Sequence, residues 1–186
     1  MKKIFFLLGF TLFIGAAFAQ KAPEFIEPEM PIDKDSKLIA YSAVVEVSGL
    51  GKAELYDRLL AWFNTFYKNP GDVIRERDVT NGRITGKARF KISNAPDKTG
   101  LKTDAGLVMY TITATVKDGR FKYVITDLNW KQPSYYPIER WMDKTSKMYS
   151  KSFDYYLFET DEYVTETVKK LEDAMKTAPK KKADEW

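Results

Sequence analysis

Two dipeptides, Asn81-Gly82 and Asp118-Gly119, constrain this chain more than any other feature. Each sits between runs that alternate apolar and polar residues. Each also suits a tight hairpin turn whose central residues take positive φ. A two-residue loop decides which residues face each other, so the register can be written down. Around Asp118-Gly119 it pairs Val116 with Phe121, Ala114 with Tyr123 and Ile112 with Ile125 on one face. Thr115 meets Lys122 and Thr111 meets Thr126 on the other, so apolar meets apolar and polar meets polar. Around Asn81-Gly82 the same rule joins 73–80 to 83–93. Val79 then faces Ile84, Val73 faces Phe90, and Glu76 faces Lys87 as opposite charges. Arg75 and Arg77 fall on the apolar face beside Gly86 and Ala88, which calls for an edge position or a bulge.

The flanking segments complete the element order. Tyr41, Ala43, Val45 and Val47 share one face of an earlier strand, which Gly49-Leu50-Gly51 ends. Leu55, Leu59, Phe63 and Phe66 recur at helical spacing in 52–68, with Tyr56, Leu60 and Tyr67 widening the stripe. Asn69-Pro70-Gly71 stops that helix. Residues 94–106 read as a polar loop, and 132–152 as irregular chain with a short helix around 138–142. Ser152 suits the cap of a final helix whose stripe is Leu157, Thr160, Val164, Val168, Leu171 and Met175, ended by Pro179. The order β-α-β-β-β-β-α predicts an α+β domain. Its curved antiparallel sheet of about five strands carries both helices on one face, because each helix stripe needs an apolar partner.

The ends read differently. Met1-Lys2-Lys3 precedes an almost wholly apolar run closed by Ala17-Phe18-Ala19, the pattern of a signal peptide cleaved after Ala19. Residues 1–19 are therefore expected to be removed, leaving a periplasmic or extracellular protein with no membrane span. Residues 20–36 hold Pro23, Pro28 and Pro31 among five acids and read as a linker. The domain is expected over 37–178, and 179–186, with Lys180-Lys181-Lys182, as a basic tail.

Composition narrows the chemistry. There is no Cys and no His, so Ser-His-Asp and Cys-His catalysis and ordinary zinc sites are excluded. No metal or other cofactor is expected. The chain has 30 basic and 26 acidic residues, and removing Lys2 and Lys3 leaves 28 against 26. That surplus is too small to indicate nucleic acid.

Val44-Val45-Glu46-Val47-Ser48-Gly49, Glu54-Leu55-Tyr56-Asp57-Arg58 with Trp62-Phe63, Gly86-Lys87, and Val116-Lys117-Asp118-Gly119-Arg120-Phe121-Lys122-Tyr123 with Thr126-Asp127 carry a resemblance. Together they resemble a secreted Bacteroidota family described as a domain of unknown function with a fold like that of the TATA-box-binding protein. The resemblance covers roughly 37–131 and implies fold and compartment. It implies no catalytic residue, and a shared fold is no reason to expect DNA binding.

Several local patterns invite a functional reading. Ser48-Gly49-Leu50-Gly51-Lys52-Ala53 joins strand to helix as a phosphate loop does. It has Glu46 where Gly is needed and Ala53 where Ser or Thr is needed, which leaves only weak anion binding at a helix start. Asp97-Lys98-Thr99-Gly100 reads as turn-forming loop. Glu159, Asp161, Glu162 and Glu166 open the last helix, where they complement its dipole and Glu166 pairs with Lys170, the favoured reading, or else they hold calcium or serve as acids of a glycan hydrolase. Tyr135, Tyr136 and Trp141, in irregular chain, either pack or stack on a sugar or partner protein. Arg83, Lys87, Arg89 and Lys91 alternate along one strand away from Ile84, Ala88, Phe90 and Ile92, with Lys117, Arg120 and Lys122 nearby. They form either a solvated face or a site for an anionic ligand, such as an acidic polysaccharide or a lipid head group, and the partner expected for the whole chain is an anionic glycan or an envelope protein. The expected function is therefore a non-catalytic binding module of the cell envelope, with a carboxylate-pair glycan hydrolase as the alternative.

Overall fold

The structure is a computed structural model and describes residues 25–177. The expected signal peptide and its cleavage point, Pro179 and the basic tail lie outside the described residues. Five main strands, β1 (Tyr41–Glu46), β2 (Ile74–Asp78), β3 (Arg83–Ser93), β4 (Asp104–Lys117) and β5 (Arg120–Trp130), form an open antiparallel sheet in the order β1-β5-β4-β3-β2. A sixth strand of two residues, β6 (Tyr136–Pro137), pairs with β5. Helices α1 (Lys52–Phe66) and α3 (Ser152–Lys176) pack on one face of this sheet and against each other. A four-residue helix, α2 (Pro70–Val73), leads into β2, and a 3-10 helix spans Ile138–Met142. The α+β layering, the strand count and the common side of the helices are as the patterning predicts.

Burial explains the layering. Leu55, Leu59 and Phe63 of α1 and Leu157, Val164, Leu171 and Met175 of α3 face Ile84, Ile112, Ala114, Phe121 and Ile125 of the sheet. Each fully buried aliphatic or aromatic side chain contributes about 1.5–3 kcal/mol. At one end Trp130, Trp141, Phe153 and Tyr156 form an aromatic cluster with ring centroids 5.5–6.3 Å apart. Two strands across from Trp130 in the same row, Phe90 stacks on Tyr163 at 3.9 Å. Part of the segment expected as linker also has a fixed place. Met30 is buried, Phe25 packs edge-on against Tyr155, and Ile32 bridges to Ile39.

The Asp118-Gly119 hairpin has the predicted register throughout, from Lys117 opposite Arg120 to Thr111 opposite Thr126. The Asn81-Gly82 hairpin does not. Asp78 pairs with Arg83, Arg77 with Ile84 and Glu76 with Thr85, so the loop has four residues, 79–82, rather than two. The Asp78 carboxylate closes it early by accepting from Asn81 N–H at 2.9 Å and from Asn81 Nδ2 at 2.7 Å. Asp and Asn side chains compete with strand pairing in this way. A slip of two residues keeps Glu76, Arg77 and Asp78 on their predicted faces, which is why alternation alone does not reveal it, and only the bulge turns Ile74 to the Gly86 side. Val79 is exposed, and Glu76 meets Arg83 rather than Lys87. The two misfit arginines have both expected explanations, since β2 is the sheet's edge strand and a bulge falls between Ile74 and Glu76.

Two further expectations need correction. Ser152 makes no capping bond; α3 starts from Lys151, in helical geometry, and Phe153 N–H donates to Ser150 O instead. Trp141 is not on an exposed loop. Its 3-10 helix turns it inward, where it is fully buried between Phe153 and Trp130.

Candidate functional site

The helices leave the second face of the sheet open, and its side chains follow from alternation. Across the strands run the rows Arg83–Thr115–Lys122–Val44, then Thr85–Thr113–Val124–Ser42, then Lys87–Thr111–Thr126, then Arg89–Met109–Asn129. Threonines line the middle of the face and cations flank them. Neighbouring strands stand about 4.8 Å apart and residues about 3.3 Å along a strand, so the group Lys117, Arg120 and Lys122 stands well over 10 Å from the group Lys87, Arg89 and Lys91, with Arg83 between them, two strands from Lys122.

The first group lies by the β4–β5 turn. Lys117 and Arg120 face each other across the turn, and Lys122 stands between Thr115 and Val44. These residues surround a hollow of 480 Å³. Val44 is 58% exposed, an apolar surface among three cations. Glu46 is the register partner of Arg120, yet among the described residues no carboxylate lies within ion-pair distance of Lys117, Arg120 or Lys122.

The other expected cations divide. Arg83 is neutralised by Glu76 at 3.0 Å and Asp78 at 3.4 Å, and Lys91 meets Asp104 at 3.4 Å. Lys87 and Arg89 are exposed and carry no ion pair among the described residues. Of the three aromatic candidates, only Tyr135 is well exposed, at 61%, and it borders a second hollow with Lys87, Met109, Thr111 and Asn129. Tyr136 is half-buried, edge-on to Trp130, with the Arg140 guanidinium over its ring. Trp141 belongs to the core.

The acids of α3 hold the fold together. Glu159 accepts Ser93 N–H and pairs with Lys102 at 2.9 Å. The Tyr155 hydroxyl and Glu159 together hold the Lys102 ammonium above its usual range. Asp161 accepts the Tyr41 hydroxyl at 2.7 Å, and Glu166 pairs with Lys170 within its helix. No cluster of three potential metal ligands occurs among the described residues.

The glycine-rich connection into α1 is likewise committed. Lys52 N–H donates to Asp118 Oδ1 at 2.8 Å, so a carboxylate from the β4–β5 turn occupies the helix start. The Lys52 ammonium reaches Thr80 O at 2.7 Å and ties α1 to the β2–β3 loop. Nothing in the local sequence pairs position 52 with position 118, since this contact arises only when the sheet assembles. In the loop of residues 94–103, Asp97 Oδ1 accepts Thr99 N–H at 2.7 Å and Leu101 N–H at 3.0 Å, the turn its sequence indicates.

Comparison with known proteins bears on the fold. Residues 41–131 match the profile of a domain of unknown function with TBP-like fold, DUF4468. A crystal structure of a TBP-like protein from Parabacteroides distasonis is similar with a TM-score of 0.60 at 19% identity, covering 76% of this chain and 95% of that one. A DUF4468 family protein from Bacteroides ovatus is similar with a TM-score of 0.64 at 18% identity, covering 81% of this chain and 93% of that one. No curated protein matches.

Proposed function

We propose, from the premise that residues 41–131 belong to the DUF4468 family with its TBP-like fold, that this protein is a non-catalytic binding module of the cell envelope, and that the open sheet face takes an anionic ligand. The observation that carries the reading is the group Lys117, Arg120 and Lys122, three exposed cations around one hollow that make no ion pair among the described residues, with Glu46 the one carboxylate in register beside them. Three like charges gathered with only Glu46 opposite them repel one another, and a bound anion relieves that repulsion. Val44 and the Thr113 and Thr115 side chains beside them offer an apolar contact and hydroxyls, the mixture a carboxylated polysaccharide presents in return. Compartment enters through the expected signal peptide at 1–19, which would export the domain to where such glycans occur. Of the four carboxylates considered for hydrolysis, all on one helix, Glu159 and Asp161 are engaged with Ser93, Lys102 and Tyr41, and Glu166 pairs with Lys170.

The test is Lys117→Glu with Lys122→Glu, titrated with polygalacturonate at low and high salt. The parent should bind more weakly as salt rises, because exposed charges are screened within about 10 Å at 0.1 M. The double variant should bind about tenfold more weakly or not at all at low salt. Equal binding by variant and parent removes this face as the site.

A further inference from the structure

The sheet has an unfinished edge. β2 pairs with β3 only from Ile74 opposite Gly86 to Asp78 opposite Arg83, whereas β4 accompanies β3 along its whole length. Beyond Gly86 the outer side of β3 has no neighbouring strand. Which backbone groups face outward follows from the β4–β5 hairpin. Its two-residue turn makes Lys117 and Arg120 a hydrogen-bonded pair, so odd-numbered β4 residues bond to β5 and even-numbered ones to β3. Val116 N–H donating to Gly82 O at 2.8 Å agrees with that assignment. Ile84, Gly86, Ala88, Phe90 and Ile92 therefore spend their backbone groups on β4. Arg89 and Lys91 turn their N–H and C=O to the open edge, where no loop or side chain among the described residues meets them. The edge has a defined far end, since Glu159 takes the outward N–H of Ser93.

This edge opens into a notch of 430 Å³. Lys68, Arg75, Lys87 and Arg89 line it, with Asp72 as the single carboxylate, and none of the four cations has an ion pair among the described residues. The floor on the helix side is Tyr67, Val73 and Ala88. A strand laid along β3 would alternate its own side chains between these two surroundings. One set would meet Lys87, Arg89 and Lys91, and the other would rest on Val73 and Tyr67.

We infer that residues 87–91 of β3 bind an extended acidic peptide by strand addition, the peptide alternating acidic and apolar residues. Strand addition draws affinity from the main chain and specificity from alternate side chains. Charge selects the occupant: a second copy of this chain would place Lys87, Arg89 and Lys91 against their own counterparts, an arrangement that opposes pairing. This surface is separate from the Lys117, Arg120 and Lys122 group, so either proposal stands without the other.

The experiment uses the full chain from Gln20 and a fluorescein-labelled Glu-Val-Glu-Val-Glu-Val peptide. Binding by anisotropy is expected. It should fall about tenfold or more with Lys87→Glu and Arg89→Glu together, at exposed positions where circular dichroism should confirm an unchanged fold. It should be unaffected by Lys117→Glu with Lys122→Glu. A peptide N-methylated at alternate amides should not bind, and the Arg89 and Lys91 amides should exchange more slowly with deuterium when the unmethylated peptide is present. Three outcomes each overturn the inference. They are equal binding of the N-methylated peptide, unchanged exchange at Arg89 and Lys91 under saturating peptide, and no binding at all. A concentration-dependent dimer that protects these amides without peptide would overturn it too.

Discussion

Replacing Gly82 and Gly119 separately by alanine asks whether the two hairpin turns differ as their surroundings do. Both glycines have positive φ, 66° at Gly82 and 73° at Gly119. Placing a Cβ in that region costs about 1–2 kcal/mol. At Gly119 the cost stops there, because no neighbouring heavy atom lies within 4 Å of the new Cβ. At Gly82 the Cβ would stand 2.8 Å from Val116 O, 2.8 Å from Lys52 Cε and 3.0 Å from Val116 Cγ2. The lysine arm can swing aside, but Val116 O belongs to a strand in the middle of the ladder and Val116 N–H is bonded to Gly82 O. Such crowding adds about 1–3 kcal/mol. Gly82→Ala should thus cost about 2–5 kcal/mol and Gly119→Ala about 1–2 kcal/mol. Urea unfolding followed by tryptophan fluorescence reads both, with unchanged m-values showing that the comparison is fair. Equal costs, within about 0.5 kcal/mol, would refute the packed four-residue loop under Lys52.

Other consequences are equally direct. Trp141→Ala should cost about 3–5 kcal/mol in the same assay, whereas Tyr135→Ala should stay within about 0.5 kcal/mol, the reverse of what a surface role for Trp141 would give. Burial foremost, with neighbouring groups, raises the hydroxyl pKa values of Tyr41, Tyr67 and Tyr110. These groups stay protonated in the folded protein after their unfolded counterparts ionise near 10, so their contribution is full below pH 10 and declines as pH rises above it. Absorbance near 295 nm should show these tyrosines ionising only together with unfolding, and free titration near pH 10 in folded protein would contradict their burial. Mass spectrometry of the exported protein should find Gln20 at its N-terminus, and retention of residues 1–19 would contradict export by cleavage.

How much of this was legible in the sequence depends on how far each feature reaches along the chain. The β4–β5 hairpin was legible from its turn to the Thr111–Thr126 pair, where turn, alternation and cross-strand pairs agree with one another, but not beyond it, where the register shifts. The β2–β3 hairpin was legible in existence and facing but not in register. The deciding contact is Asp78 folding onto Asn81, and a slip of two residues leaves the alternation intact. Trp141 was misplaced because its local sequence is irregular and its partners Trp130 and Phe153 come from distant elements. For the candidate site, alternation placed all seven cations correctly on one side. It could not tell which would be neutralised, because Glu76 reaches Arg83 only through the shifted register and Asp104 reaches Lys91 only through β3–β4 pairing. The free edge of β3 was hidden for a related reason, since the sequence suggests a β2 long enough to reach Phe90.

The claim on which the account rests is that the open sheet face, at the β4–β5 turn, is where an anion binds. The most direct measurement is a titration of ¹⁵N-labelled protein with polygalacturonate, followed by amide chemical shifts. The largest shifts should fall on Val44, Thr115, Lys117, Arg120 and Lys122, while the amides of α1 and α3 stay in place. Largest shifts on the helices, or no shift anywhere at saturating polysaccharide, would contradict it.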